Sequence, residues 1–276
     1  MVKAPNFDAA EAQLERCSFV PGAMTYDRCM SERFLTGRAL SSEAAATWRK
    51  AIAPFVPRDS AFTIVDVGAG TCRFLPVLQA FTGARVVCIE PSFEMLVAGV
   101  RENGVSNALY VVGKGESIPL ESGSCGLVWL SQSYHHVTDR AGLVDELRRI
   151  VTPAGCVLIR NSFSDRLDGF PTLFRFFPSA LQLCTALPTV AETVRIFEEH
   201  GFILDTDQEV EQQTCGSLRE FAERSRMRAD SSLALLSDDE FQSGLDSLSR
   251  EVELESEPAA VIEKLSLLAF RLREAA

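Results

Sequence analysis

The sequence predicts an α/β fold built on a doubly wound, mostly parallel sheet, and two observations carry that prediction. Val65-Asp66-Val67-Gly68-Ala69-Gly70-Thr71-Cys72-Arg73-Phe74 is an apolar strand running straight into a glycine turn, and Glu90 stands twenty positions after Gly70, at the tip of a second apolar run from Ala84 to Ile89. Phe62, Ile64, Val65 and Val67 suit a central parallel strand buried on both faces. Gly68 and Gly70 let the backbone bend sharply and approach a ligand closely. A carboxylate at the tip of the second strand is placed to accept hydrogen bonds from two ribose hydroxyls, which makes Glu90 a candidate ribose clamp. Glycine turn and acidic strand tip together describe a site for a nucleotide-type cofactor.

The other elements follow in chain order. Asn6 to Cys17 reads as a short helix broken by Pro21-Gly22, and Ser41 or Ser42 can cap a helix running to about Ala53, with Glu43 in its first turn and Pro54 near its end. Beyond the second strand, Leu109 to Val112 reads as a third and Leu127 to Leu130 as a fourth. The segment Leu143 to Val151 and the turn Pro153-Ala154-Gly155 lead to a fifth strand, Val157 to Arg160. Val190, Val194 and Phe197 make a helical stripe, Phe202 to Val210 suits a sixth strand and Leu265 to Leu272 a last one. The expected sheet is therefore seven-stranded.

A dinucleotide oxidoreductase shares the Gly-x-Gly turn and the acidic strand tip. A pyrophosphate site, however, wants Gly-x-Gly-x-x-Gly so that a tightly packed helix N-terminus faces the phosphates, and here the last position is Arg73. The ordered set of the glycine turn, Gly113-Lys114-Gly115-Glu116-Ser117-Ile118-Pro119-Leu120, Leu127-Val128-Trp129-Leu130 with Ser131-Gln132-Ser133-Tyr134-His135-His136-Val137, and Pro153-Ala154-Gly155 before the fifth strand resembles the class I S-adenosylmethionine-dependent methyltransferases. The resemblance covers roughly Ala61 to Asn161. It points to the branch with the ubiquinone and menaquinone biosynthesis enzymes and bacterial natural-product methyltransferases. Three positions depart from that pattern: Cys72 replaces a usual glycine, Gly126 a usual aspartate, and Ala154 the first of a usual Gly-Gly pair.

The resemblance implies S-adenosyl-L-methionine as cofactor and a Rossmann-like fold with a helical N-terminal cap and a lid. It sets Gly68, Ala69 and Gly70 against the methionine portion, with Asp66 supporting the turn or the ammonium group. Glu90 holds the ribose, and Pro91, Ser92 and Met95 lie just beyond it. Gly115 and Glu116 match the position bordering adenine; Glu116 reads equally as a solvent-facing loop carboxylate. Leu130, Ser131 and Gln132 face the methyl-bearing sulfur, and Tyr26 matches a tyrosine often found near the methionine end, though a packing tyrosine reads as well.

His135 and His136 sit where an open parallel sheet presents its ligand crevice, just beyond a strand's C-terminal end. A neutral imidazole there can remove a proton from a hydroxyl or a carbon acid. Equally, one of the two can simply tie the loop to a backbone carbonyl. Methyl transfer asks little more of the protein than alignment and exclusion of water.

Composition narrows the setting. With 27 basic against 38 acidic residues the net charge is -11, which repels nucleic acid and anionic membrane. Met1 to Phe19 is broken by Asp8, Glu11, Glu15 and Arg16 and lacks the apolar run of a signal peptide or membrane helix, so a cytoplasmic enzyme is the expectation. The eight cysteines include no Cys-x-x-Cys pair and read as reduced packing residues; with three histidines in the chain, no metal is expected.

The expected organisation is a helical cap over 1–58 and a cofactor-binding domain over 59–276, the latter carrying an apolar lid at 166–188 and a helical insertion at 217–255. The lid holds Leu167, Phe170, Leu173, Phe174, Phe176, Phe177, Leu181, Leu183 and Leu187 with few charges, so it must be buried against the core or around a lipophilic ligand. The expected acceptor is a small lipophilic secondary metabolite or quinone-like molecule, methylated at oxygen or carbon. The lid alone extends the likeness to teleocidin-type prenyl-indole C-methyltransferases, in which methylation triggers cyclisation and phenylalanines steady a carbocation. The alternatives are a cofactor-binding protein without methyl transfer, either a cyclase or a non-catalytic partner subunit, and a nicotinamide oxidoreductase. The helix within Met1 to Phe19 cannot be stable alone. It is expected to close over the cofactor site of its own chain or, in exchange, of a neighbour, which would make a homo-oligomer.

Overall fold

A computed structural model describes residues 26–58, 61–104 and 107–273. The helix expected within Met1 to Phe19, and with it the exchange between subunits, lies outside the described residues. The strands are β1 (Phe62–Val67), β2 (Ala84–Glu90), β3 (Leu109–Val112), β4 (Cys125–Ser131), β5 (Val151–Asn161), β6 (Phe202–Cys215) and β7 (Val261–Leu272). Among the described residues they form one seven-stranded sheet in the order β3-β2-β1-β4-β5-β7-β6. The first five strands pair in parallel, and β7 runs antiparallel to both β5 and β6.

Two layers of helix cover this sheet because β1 alternates its apolar residues between two cores. Ile64 faces a core with Trp48, Phe74, Trp129 and Leu158, while Val65 and Val67 face a second with Leu143, Leu147, Ile159 and Phe197. On the first face, α2 (Ser42–Ile52) buries Ala44, Trp48 and Ile52, one per turn, and Ser41 caps it by accepting the Ala44 N–H. On the second, α5 (Arg140–Ile150) buries Leu143, Val144, Leu147 and Ile150, capped by Asp139, and α8 (Val190–Glu199) starts with a Thr189/Glu192 capping box.

Three elements depart from the expected bounds. β5 begins at Val151 because the chain pairs with β4 on both sides of Pro153-Ala154-Gly155: Cys125 aligns with Val151 and Leu127 with Cys156, and the residues between bulge outward. The β6–β7 ribbon is longer than its apolar runs suggest. Its outer half is rich in Thr206, Asp207, Gln208, Glu209 and Glu211, which a strand with one face in water tolerates. The expected helical insertion resolves into α9 (Leu218–Arg226), α10 (Ser231–Ala234) and α11 (Asp238–Leu254).

The apolar segment 166–188 contains α6 (Pro171–Phe176) and α7 (Pro178–Cys184). Phe176, Phe177 and Ala180 are buried in the first core, whereas Leu167, Leu183 and Leu187 line a cavity, Phe170 and Leu173 do both, and the half-buried Phe174 lines the cavity while packing against that core. No helix among the described residues is long and apolar enough to cross a membrane.

The glycine turn is held from behind by α4 (Phe93–Asn103). A Cβ at Gly99 would lie 2.5 Å from the carbonyl carbon of Thr71, and Asn103 donates its amide N–H to the Thr71 carbonyl at 3.0 Å. Since the obstacle is backbone, Gly99→Ala is expected to push the helix off the turn. The protein should lose about 1–3 kcal/mol of stability, the usual cost of overpacking, measured by urea unfolding. An unchanged midpoint would show that α4 has slack there.

Candidate active site

The turn after β1 takes its shape from positive φ angles. Gly68 sits at φ +70° and Gly70 at +56°, while the Gly68 and Ala69 N–H groups donate to the Ile89 carbonyl at 2.8 and 3.0 Å. Cys72, where the resemblance has glycine, keeps the left-handed conformation at φ +54° with its side chain fully buried. Leaving that backbone form in place on a side chain costs roughly 1–2 kcal/mol.

Glu90 closes the turn. Its carboxylate accepts the Gly70 N–H at 2.8 Å and the Ser92 N–H at 2.9 Å, and burial pushes its pKa up against the opposing pull of those two donors. Ser92 caps α4 through Met95 N–H, and its hydroxyl donates to the Tyr26 carbonyl at 2.6 Å. Met95 is buried under the turn. Among the described residues, chain neighbours aside, its methyl group is the sole heavy atom within 4 Å of where a Gly70 side chain would begin, so the backbone at Gly70 is bare. Bare backbone beside a strand-tip carboxylate fits a nucleoside ligand with a ribose to hold. Asp66 lies on the face of Cys88 and Trp129, its register partners, and burial together with the nearby Glu90 pushes its carboxyl up to about 7.

The other expected positions are distributed as follows. Pro91 is exposed, Glu116 is half-buried and Gly115 is buried against Leu143 and Val67. The Leu130 side chain belongs wholly to the second core, so only its backbone can face a ligand. Ser131 Oγ accepts from Arg160 at 3.1 Å, and Gln132, at φ +55°, clasps Ser162 through both ends of its amide.

His135 and His136 lie side by side, ring centroids 4.0 Å apart. His135 Nδ1 is 2.9 Å from Asn161 Oδ1, and the orientation of Asn161 is fixed because its own amide N–H donates to the Ser162 carbonyl at 2.7 Å. An oxygen acceptor at Nδ1 places the proton on that nitrogen, which leaves the Nε2 lone pair as the basic site. Burial, followed by the neighbouring His136, lowers the His135 pKa to about 4; burial also lowers that of His136. His136 Nε2 pairs with the Tyr26 hydroxyl at 2.9 Å.

Beyond these residues opens a cavity of about 300 Å³, lined by Tyr26, Gln132, His135 and His136 and by residues of the apolar segment 166–188. Its polar wall went unread in the sequence. It includes Arg38, Arg73, Arg160, Gln212, Asp230 and Glu263, drawn from the cap, the turn, β5, β6, the insertion and β7. The one available signal was Arg160, an arginine ending the apolar run Val157-Leu158-Ile159. No group of three or more histidine, cysteine, aspartate or glutamate side chains able to hold a metal occurs among the described residues.

Residues 65–159 match the family described as "Methyltransferase domain". The chain is 29% identical over 143 residues to malonyl-[acyl-carrier protein] O-methyltransferase of Marinomonas sp., which takes in 49% of this chain and 52% of that protein. It therefore spans about half the length of that relative. Against demethylmenaquinone methyltransferase of Corynebacterium glutamicum the identity is 29% over 186 residues, 67% of this chain and 76% of the relative. Among solved structures, a protein of an antibiotic biosynthesis pathway of Anabaena variabilis superimposes with a TM-score of 0.65 at 17% identity, covering 82% of this chain and 97% of the other. Geranyl diphosphate C-methyltransferase of Streptomyces coelicolor, solved with Mg2+, geranyl diphosphate and S-adenosyl-L-homocysteine, gives a TM-score of 0.52 at 15% identity, covering 82% and 79%. At such identities these two structures establish likeness of fold.

Proposed function

We propose that this chain, which belongs to the class I S-adenosylmethionine-dependent methyltransferases, methylates a small lipophilic acceptor of secondary metabolism at oxygen or carbon, with His135 as the base. The observation that carries the reading is the cavity, in which apolar lid residues, the His135 ring and Arg73, three residues after Gly70, border one space. S-adenosylmethionine, when bound, supplies an electrophilic methyl group on a sulfonium sulfur. The chain's own residues do the rest. Gly68, Ala69 and Gly70 offer backbone to the methionine portion, and Glu90 accepts hydrogen bonds from the ribose. The lid excludes water, and His135 Nε2, neutral at ordinary pH, accepts the acceptor's proton. Tyr26 orients His136 beside it.

Demethylmenaquinone and geranyl diphosphate enzymes among the similar proteins support a lipophilic acceptor. The free thiols among the described cysteines support a reducing, cytoplasmic setting. Incubation with S-adenosylmethionine and a panel of quinone-like and prenylated aromatic acceptors should yield S-adenosylhomocysteine. A chain that binds S-adenosylhomocysteine yet releases none from any acceptor would instead be a binding protein or a cyclase.

Glu90→Ala should weaken S-adenosylmethionine binding by about 1–3 kcal/mol, the usual loss for hydrogen bonds to a charged group. Calorimetry reads this directly, and unchanged affinity would remove Glu90 from the ribose role. Glu90→Gln separates its two duties, since it keeps one carbonyl oxygen for the loop amides while removing the charge.

A further inference from the structure

We propose that the acceptor carries an anionic oxygen, a carboxylate or an ionised phenol or enol, held in the cavity by Arg160 and Arg73. This rests on reading the cavity as the acceptor site.

Arg160 stands near the end of β5 in register with Ser131 of β4 and is only 2% exposed. Its guanidinium lies over the rings of Trp48 and Phe74, at 4.7 and 5.2 Å from their centroids. Nη1 donates to Ser131 Oγ at 3.1 Å and Nη2 to Gln212 Oε1 at 2.8 Å, while the buried Nε has no partner. Gln212 Oε1 already takes a second donor, Trp48 Nε1, at 2.7 Å. Arg73, also over Phe74 at 5.6 Å, spends one N–H on the Arg38 carbonyl. Neither Arg160 nor Arg73 makes an ion pair among the described residues.

The other charges in the wall do not balance these two. Asp230 is ion-paired with Arg38 at 2.5 Å and takes the Ser232 N–H and hydroxyl; Arg224 pairs with Glu220. Glu263 accepts the Thr214 hydroxyl at 2.8 Å and makes no ion pair among the described residues; burial pushes its carboxyl pKa up, against the pull of Arg38 and Arg160. Two guanidinium groups thus line the cavity with no carboxylate ion-paired to either among the described residues. A desolvated charge left unpaired is costly, and an anion arriving with the ligand removes that cost. Guanidinium is also the group best shaped to hold a carboxylate or phenolate oxygen.

Leu167, Phe174, Leu183 and Leu187 line the same cavity and fit an apolar body. The acceptor is therefore amphipathic. The same field opposes a carbocation, which weighs against an alkene acceptor in this cavity.

Calorimetric titration of the full chain saturated with S-adenosylhomocysteine tests the proposal, using 1-naphthaleneacetate against the uncharged 2-(1-naphthyl)ethanol. The carboxylate is expected to bind about 10- to 100-fold more tightly, the range for a charge-assisted hydrogen-bonded pair. In Arg160→Met that preference should shrink to within about threefold, while Arg160→Lys keeps part of it. Arg73→Gln serves as an independent variant should Arg160→Met not fold. Equal binding of the two probes, binding of neither, or a preference that survives both Arg160→Met and Arg73→Gln would overturn the proposal. The preliminary titration with S-adenosylhomocysteine reads the cofactor site separately, so its failure would strike the methyltransferase reading itself.

Discussion

His135→Ala should turn over about 10²- to 10⁴-fold more slowly than the parent, the range for loss of a positioned general base. The expectation follows from geometry: Asn161, itself pinned to the Ser162 carbonyl, claims the Nδ1 proton and leaves Nε2 free. With a pKa lowered to about 4, the parent's rate should stay level from near-neutral pH down and decline only as pH approaches that value. Asn161→Asp should raise the pKa by setting a charge against Nδ1–H, and so move the acid limb upward. The depressed pKa also bears on stability. The unfolded chain takes up a proton near 6.5 and the folded chain only near 4, so the contribution is intact above 6.5 and is lost as pH falls between the two. Full turnover with an unaltered pH profile in both His135→Ala and His136→Ala would make the pair structural.

Gly68→Val is expected to abolish measurable cofactor binding, a loss of about 100-fold or more. Two costs combine at that position, each of order 1–3 kcal/mol. The φ of +70° is one that β-branched side chains avoid, and a Cβ would stand 2.4 Å from Ser133 Cβ. Ser133 cannot step aside freely, since its hydroxyl donates to the Val67 carbonyl at 2.7 Å. Gly123→Val is the control: φ there is +61°, but nothing lies within 4 Å, so it carries the backbone strain without the collision. Thermal shift with S-adenosylhomocysteine should vanish in the first variant and persist in the second. Loss in both would assign the effect to general destabilisation.

The glycine turn and the strand-tip carboxylate that closes it were legible in the sequence because each of their signals is local. Gly68, Gly70 and Glu90 combine an apolar run, a turn and a strand tip within one βαβ unit, and the Ser41 cap of α2 is a short-range pattern too. The acceptor half was not, since its polar members stand in unremarkable surroundings. Asp230, Glu263 and Gln212 sit among other polar residues in the insertion and in the β6–β7 ribbon, and nothing in their neighbours shows that the fold aims them into one cavity. The long ribbon was underread for the same reason. Register with β7, rather than composition, holds Glu209, Glu211 and Gln213 in a strand.

The ties across the acceptor wall join residues far apart in sequence. Arg38 meets Asp230 across 192 positions, Arg224 reaches the Ala39 carbonyl across 185, Ser41 the Gln213 carbonyl across 172, and Trp48 bonds Gln212 across 164. The Gly70–Glu90 bond of the cofactor turn spans only 20. Contacts of long reach carry the larger loop-closure entropy and form last. A wall stitched by them is expected to open first when stability is eroded, as a sub-global unfolding unit distinct from the β1–β4 half of the sheet. In rising urea, acceptor recognition should therefore disappear at a concentration where the turn still holds its nucleoside, and hydrogen exchange at α2 and α9 should outpace that at β1 and β4.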